Sequence, residues 1–209
     1  NSCSHYDIYC ICSNGAEKVE NKLKKIVKKR DKFSNIFIYP VENKYANGYE
    51  IRKITSGAYL RLQLHNILSN LDKIIYCDVD ILFKNNLQEI WDIPIDHNYF
   101  MGVKGANNLS HIWNENLIKF NYWNKFDKNT YINSGVVVMN LQKIRDDNLE
   151  KQWENMVNDA YFYVDQDIIN IVCKNKISFT RSMFFTNTVI RYSMHLSYTW
   201  QNVMINRSA

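Results

Sequence analysis

The chain has 209 residues and a formal net charge of +5, enough length for one α/β domain with a sizeable core over residues 1–209. No apolar run approaches the roughly 18 residues a membrane span needs, no signal-peptide pattern opens the sequence, and Pro and Gly are too scarce for a linker-rich or disordered protein. The modest positive charge favours acidic partners such as nucleotide phosphates or an anionic membrane surface met peripherally, and nucleic acid is not expected. The five cysteines, Cys3, Cys10, Cys12, Cys77 and Cys173, are odd in number and have no framework spacing. They read as reduced structural thiols, which favours a reducing compartment and a cytoplasmic location.

In chain order, His5 to Cys12 reads as a buried strand, because apolar residues fall on both parities. Ala16 to Asp31 places Val19, Leu23, Ile26 and Val27 at helical spacing opposite a Lys-rich face. That charge run, Lys18 to Lys32, reads first as a solvated helix face. Asn35 to Tyr39 is a second strand, closed by Pro40, and the strand–helix–strand order is the unit that builds a parallel sheet. Asn47-Gly48 marks a turn. From Ser56 a strong amphipathic helix is predicted, with Leu60, Leu64, Ile67, Leu68 and Leu71 in one stripe. Arg61 lies beside that stripe, either as an ordinary surface arginine or near helix N–H groups that could receive an anion.

Lys73 to Lys84 is the stretch around which the rest is organised. Ile74 to Cys77 predicts a strand buried on both faces, as in a parallel sheet covered by helices. Asp78 and Asp80 follow at its end. Residues two apart on an extended chain point the same way, with Cα atoms roughly 6.6 Å apart at about 3.3 Å per residue. Two such carboxylates can hold one Mn²⁺ or Mg²⁺ that in turn holds a phosphate-bearing substrate, and open α/β sheets bind ligands at strand carboxyl ends. The plainer reading is turn chemistry where a strand stops.

Further on, Leu87 to Asp92 is a short helix, Tyr99 to Lys104 a strand, and His111 to Asn124 a helix or an irregular segment whose aromatics belong to the core or to a sugar-stacking surface. Val136 to Met139 is another buried strand. The small residues Asn133-Ser134-Gly135 before it either form a turn or allow close approach of a ligand. Leu141 to Ala160 is predicted as one helix. Asp165-Gln166-Asp167 opens a helix through Cys173, where acidic residues are expected as caps. Ile177 to Thr180 is predicted as the last regular strand, and the pattern weakens from Arg181 onward.

Four segments in this order carry a resemblance: Ser56-Gly-Ala-Tyr-Leu-Arg-Leu, Asp78-Val-Asp80 after its apolar strand, Tyr-Ile-Asn133-Ser134-Gly135-Val-Val-Val-Met-Asn140-Leu, and Asp165-Gln166-Asp167-Ile-Ile-Asn170. Together they resemble family-eight glycosyltransferases, the group of bacterial lipopolysaccharide galactosyl- and glucosyltransferases and glycogenin, over about His5 to Thr180. The resemblance implies a glycosyltransferase-A fold, a Rossmann-like nucleotide-sugar-binding α/β domain. It implies a UDP-glucose or UDP-galactose donor, Mn²⁺, a glycan or lipid-linked glycan acceptor, and transfer with retention of configuration. By the same resemblance Asp78 and Asp80 bind the metal, and Asp78 also contacts the nucleoside. Arg61 lies near the donor phosphates and sugar, Asn133 and Ser134 line the donor sugar, Asp165 binds its hydroxyls, and Gln166 sits near the anomeric carbon.

Two family features are not matched. The family's first strand and helix are absent, an expectation that leaves a sheet edge exposed. The late His-x-x-Gly-x-x-Lys-Pro-Trp segment is also absent: His195 is followed by Leu-Ser-Tyr-Thr-Trp, so no third metal ligand is carried over. A truncated, non-catalytic UDP-sugar-binding or interaction module is the alternative. A haloacid-dehalogenase-type phosphatase, which also places Asp-x-Asp after a buried strand, is a remote second alternative that Leu82 fits poorly.

Overall fold

Alternation in one short strand organises the core. In β3 (Lys73–Cys77), Ile74 and Tyr76 belong to one buried apolar cluster, while Ile75 and Cys77 belong to a second. Residues of opposite parity face opposite sides of a sheet, so β3 is buried on both faces, as its unbroken apolar run predicts. β5 (Ile132–Asn140) does the same, with Val137 and Met139 in the first cluster and Val136 and Val138 in the second. The structure is a computed structural model that describes residues 5–12, 17–52, 54–79, 81, 83, 86–105, 124–127, 129–180 and 200–207, without the side chains of 17–19 and 200–207. The predicted segment His111 to Asn124 therefore lies almost wholly outside the described residues.

The other elements are β1 (Tyr6–Cys12), α1 (Glu17–Arg30), β2 (Asn35–Pro40), a 3-10 helix (Ser56–Gln63) running into α2 (Leu64–Ile67), α3 (Gln88–Trp91), β4 (Phe100–Lys104), α4 (Leu141–Asp146), α5 (Glu150–Trp153), α6 (Val164–Val172), β6 (Ile177–Phe179) and β7 (Trp200–Arg207). The strands form one sheet in the order β2-β1-β7-β3-β5-β4-β6. β1 pairs with β2 and β4 with β6 in parallel, while β3 is antiparallel to both its neighbours, β5 and β7. The expectation of a parallel surround for β3 is thus corrected: burial on both faces produces the same apolar run whichever way the neighbours point. β7, where no strand was predicted, lies between β1 and β3 and pairs with both. β1 is therefore paired on both sides, with β2 and β7. Ile177–Phe179 is not the last strand.

Two predicted helices differ from the structure. Ser56 to Leu71 is not one amphipathic α-helix but eight residues of 3-10 helix followed by a single α-turn. Tyr59 through Gln63 are all buried, so this segment is enclosed on all sides rather than along one stripe. Its first turn is tied to the preceding loop, with the Ser56 N–H donating to Glu50 at 2.7 Å and Asn43 Nδ2 donating to the Ser56 carbonyl at 2.9 Å. Leu141 to Ala160 is broken into α4 and α5 at Asn148, whose φ of 50° lies in the left-handed region that an α-helix does not use. Leu149 and Trp153 remain fully buried across the break.

Asn170 fastens α6 to the sheet. Its side chain accepts from the Ile132 N–H at 2.8 Å and donates to the Ile132 carbonyl at 3.0 Å and the Gln166 carbonyl at 2.8 Å. It is 2% exposed, so its partners are sealed from bulk water. Asn170→Ala is expected to destabilise the fold by about 2–3 kcal/mol, since each buried group left unpaired costs about 1–3 kcal/mol. Urea denaturation checks this, and a loss below about 0.5 kcal/mol, the scale of an ordinary surface substitution, would rule the clamp out.

Candidate active site

Because β5 runs antiparallel to β3, the residues that leave β3 and those that begin β5 share one edge of the sheet. The Asp78 N–H donates to the Gly135 carbonyl at 2.8 Å, continuing the ladder one step past the strand. Tyr76, two residues earlier, points to the same side. Its hydroxyl donates to Asp78 Oδ1 at 2.7 Å.

Arg61 enters from the 3-10 helix and joins these pieces. Nη2 donates to the Tyr76 hydroxyl at 2.7 Å and to Asp78 Oδ1 at 2.9 Å. Nη1 donates to Ser134 Oγ at 2.6 Å and to Asp165 Oδ2. The guanidinium carbon lies 4.1 Å from the centre of the Tyr76 ring, a cation–π contact. Arg61 is 4% exposed, so it is not the surface arginine that its position in the sequence allows. The sequence resemblance places it near phosphates; the structure surrounds it with two carboxylates and two hydroxyls.

Gln166 is held on both ends of its amide. Its Oε1 accepts from the Ser134 N–H at 2.9 Å, and its Nε2 donates to the Tyr131 hydroxyl at 2.8 Å. Tyr131 donates onward to Asp167 Oδ1 at 2.6 Å, and Asp167 Oδ2 accepts from the Tyr163 N–H at 2.8 Å. The acidic triplet therefore divides its work: Asp167 caps the helix start, as expected, while Asp165 pairs with Arg61. Val164, between Tyr163 and Asp165, has φ of 37°, a strained conformation for a β-branched residue. Asn133 Oδ1 accepts from the Gly135 N–H at 2.9 Å. A Cβ on Gly135 would stand 2.9 Å from Asp78 Oδ2 and 3.0 Å from Asn133 Oδ1, so only glycine leaves that carboxylate where it is.

The electrostatics follow from burial. Desolvation works against the Arg61 charge, but Asp165, Tyr76 and Asp78 outweigh it and hold the guanidinium above its ordinary pKa. The Asp165 carboxyl is pushed up to about 6 by burial, with Arg61 opposing and Asp78 adding to the rise. Burial also raises the Tyr76 phenol well above its usual range, so it stays protonated and keeps donating to Asp78. The four described cysteines are buried. The Cys77 thiol is pushed up to about 12 by burial, so it packs rather than reacts.

Of the residues singled out in the sequence, Arg61, Asp78, Asn133, Ser134, Asp165 and Gln166 are thus brought together. Asp80 and His195 lie outside the described residues. Among the described residues, no group of three His, Cys, Asp or Glu side chains is placed to hold a metal ion. Asp78 itself fits a hard cation: its side chain is 39% exposed, Oδ1 is fixed by Tyr76 and Arg61, and Oδ2 faces the side kept clear by Gly135. Sequence reasoning gave Tyr76 and Tyr131 no such roles. For Tyr76 the signal was present, since it shares parity with Asp78.

Arg61→Met removes the cation paired with Asp165 and Asp78. Breaking a buried pair costs about 3–5 kcal/mol. Without Arg61, the Asp165 pKa rises further above 6, so the folded state prefers the protonated carboxyl. Stability associated with that preference is present at low pH and lost as pH rises through the folded pKa. The destabilisation by Arg61→Met, measured by urea unfolding, is therefore expected to be larger at about pH 8 than at about pH 5; equal values at both would show that Asp165 is not the group left unpaired.

The model of the family described as "Glycosyl transferase family 8" matches residues 1–203. A Haemophilus influenzae protein named as a glycosyltransferase is 33% identical over 159 residues, covering 73% of this chain and 47% of that protein. Lipopolysaccharide 1,3-galactosyltransferase of Salmonella typhimurium is 25% identical over 154 residues, covering 67% of this chain and 42% of that enzyme. The chain thus spans about half the length of these curated relatives. In fold, it is similar to a crystal structure of the galactosyltransferase LgtC in complex with donor and acceptor sugar analogs, with a TM-score of 0.65, 24% identity, and coverage of 83% of this chain and 62% of that one. The phosphatase alternative is set aside by the extent of the family match. With its α/β sheet and its four motif segments gathered at one sheet edge, the chain belongs to glycosyl transferase family 8.

Proposed function

We propose that this chain is a retaining, metal-dependent glycosyltransferase that moves a hexose, glucose or galactose, from a UDP-sugar to a hydroxyl of a glycan or lipopolysaccharide acceptor. The observation that carries this reading is the Arg61 cluster, which fixes Asp78, Ser134 and Asp165 relative to one another at a strand end. Such pre-positioning is what donor orientation requires.

Asp78, through Oδ2, and Asp80 would hold Mn²⁺, with Mg²⁺ as the alternative. A bound ion there would neutralise the diphosphate as UDP leaves. Arg61 adds fixed positive charge beneath the same place. It also keeps Asp78 in a single orientation, the part a neighbouring hydrogen bond plays for a metal-ligating carboxylate. Asn133 and Ser134 line the donor sugar and Asp165 receives its hydroxyls. Gln166, with its amide locked between Ser134 and Tyr131, stands near the anomeric carbon with its dipole set before the reaction. Asp165 is a poor nucleophile, being buried and paired to Arg61. The favoured route is on the front face: the C1–O bond to UDP breaks with its electron pair leaving on the diphosphate, the acceptor oxygen bonds to C1 from the same side, and its proton passes to the departing phosphate oxygen.

UDP binding measured by calorimetry with and without Mn²⁺ tests the donor site. Binding is expected only with the metal and is expected to fall at least about tenfold in Asp78→Ala. Gly135→Ala, whose methyl group meets Asp78 Oδ2, is expected to weaken metal-dependent binding by about 10–100-fold. A folded wild-type chain that binds no UDP would overturn the donor reading. Turnover of UDP-glucose or UDP-galactose separates the enzyme from the non-catalytic alternative: binding without release of UDP would mark a UDP-sugar-binding module.

A further inference from the structure

The surface around α1 has an unusual charge balance. Between Glu20 and Lys32 there are seven basic residues and two acidic ones, so this segment carries the whole +5 of the chain and the remainder is balanced. Both acids are already engaged. Glu20 pairs with Lys24 at 2.5 Å, and Asp31 accepts from the Ser34 hydroxyl and from the N–H groups of Phe33 and Ser34. Glu20, Leu23, Lys24 and Val27, spaced along one side, are half-buried, while Lys22, Lys25, Ile26 and Lys29 are exposed. No residue from Glu20 to Arg30 is fully buried.

Two large apolar side chains lie in this basic field. Ile26, expected from its spacing to face the core, is 48% exposed, and Phe33, in the turn that closes the helix, is 61% exposed. On the helix surface Ile26 is bordered by Lys22 at i−4 and Arg30 at i+4. Phosphate contacts alone give an isoleucine no role. A lipid surface uses both features: apolar tips enter the headgroup–acyl boundary while flanking lysines meet anionic headgroups.

We propose that the outward face of α1, with Ile26 and Phe33 as its apolar tips, docks on an anionic lipid surface. Docking there is independent of the proposed transfer reaction, because none of these residues belongs to the Arg61 cluster.

Co-sedimentation with phosphatidylcholine vesicles, with and without phosphatidylglycerol, tests it. Two variants accompany the wild type, each first checked by thermal melting: Lys22→Glu/Lys25→Glu/Lys29→Glu and Ile26→Ser/Phe33→Ser. The wild type is expected to bind only vesicles containing phosphatidylglycerol, and more weakly as salt rises. The charge variant is expected to lose about a hundredfold in affinity and the apolar variant about fivefold or more. Equal binding to both vesicle types overturns the proposal, as does no binding to either. An apolar variant that binds like the wild type also overturns it, by reducing the contact to adsorption of a charged face. Binding of RNA as tight as that of vesicles, through the same lysines, identifies a general polyanion surface and overturns it too. UDP binding by both variants is expected to match the wild type, so failure here leaves the donor reading untouched.

Discussion

A guanidinium taken out of water must be surrounded by acceptors, and that requirement at Arg61 constrains the rest of this site. The cost of burying the charge is offset only if Asp78, Asp165, Tyr76 and Ser134 all arrive in register. They come from four parts of the chain: the body of β3, its exit, the start of β5 and the first turn of α6. The ion pairs therefore act less as a source of net stability than as a device that admits one arrangement of the residues around Arg61. Arg61 and the strained Val164 both sit where geometry matters more than local comfort.

The sheet supplies the frame for this convergence. Antiparallel pairing of β3 with β5 brings an exit and an entry to the same edge, so two motifs over fifty residues apart in sequence meet through a backbone hydrogen bond between Asp78 and Gly135. Gly135 is required there by a carboxylate rather than by a turn, because its missing Cβ is the space beside Asp78 Oδ2. Asn170 and the Gln166–Tyr131–Asp167 chain then hold α6 against β5. The candidate site at these strand ends thus rests on paired strands and a clamped helix rather than on free loops, a placement that limits drift.

Secondary structure was legible where one physical signal dominated. The strands β1, β3, β4 and β5 and the helix α1 followed from parity and helical spacing. Ser56 to Leu71 was misjudged because a buried 3-10 segment carries the same leucines as a one-sided helix, and periodicity does not distinguish them when every face is covered. The break at Asn148 has no sequence marker stronger than an asparagine that tolerates positive φ. β7 follows a stretch without clear pattern, and its position between β1 and β3 is set by pairing partners far away in sequence.

For the candidate site, the sequence by itself determined the inventory and the family. Asp78, Asn133-Ser134-Gly135 and Asp165-Gln166 were identifiable by type, order and place at element ends, since those properties are local to each segment. Only the tertiary structure decided that Arg61 is a buried linchpin, that Asp165 rather than Asp167 answers it, that Tyr76 fixes Asp78, and that Ile26 turns outward among lysines. The physical reason is the same in each case. Whether a charge is paired or an apolar side chain covered depends on which distant segments fold over it, and burial of that kind is a property of the packed chain, not of any window of its sequence.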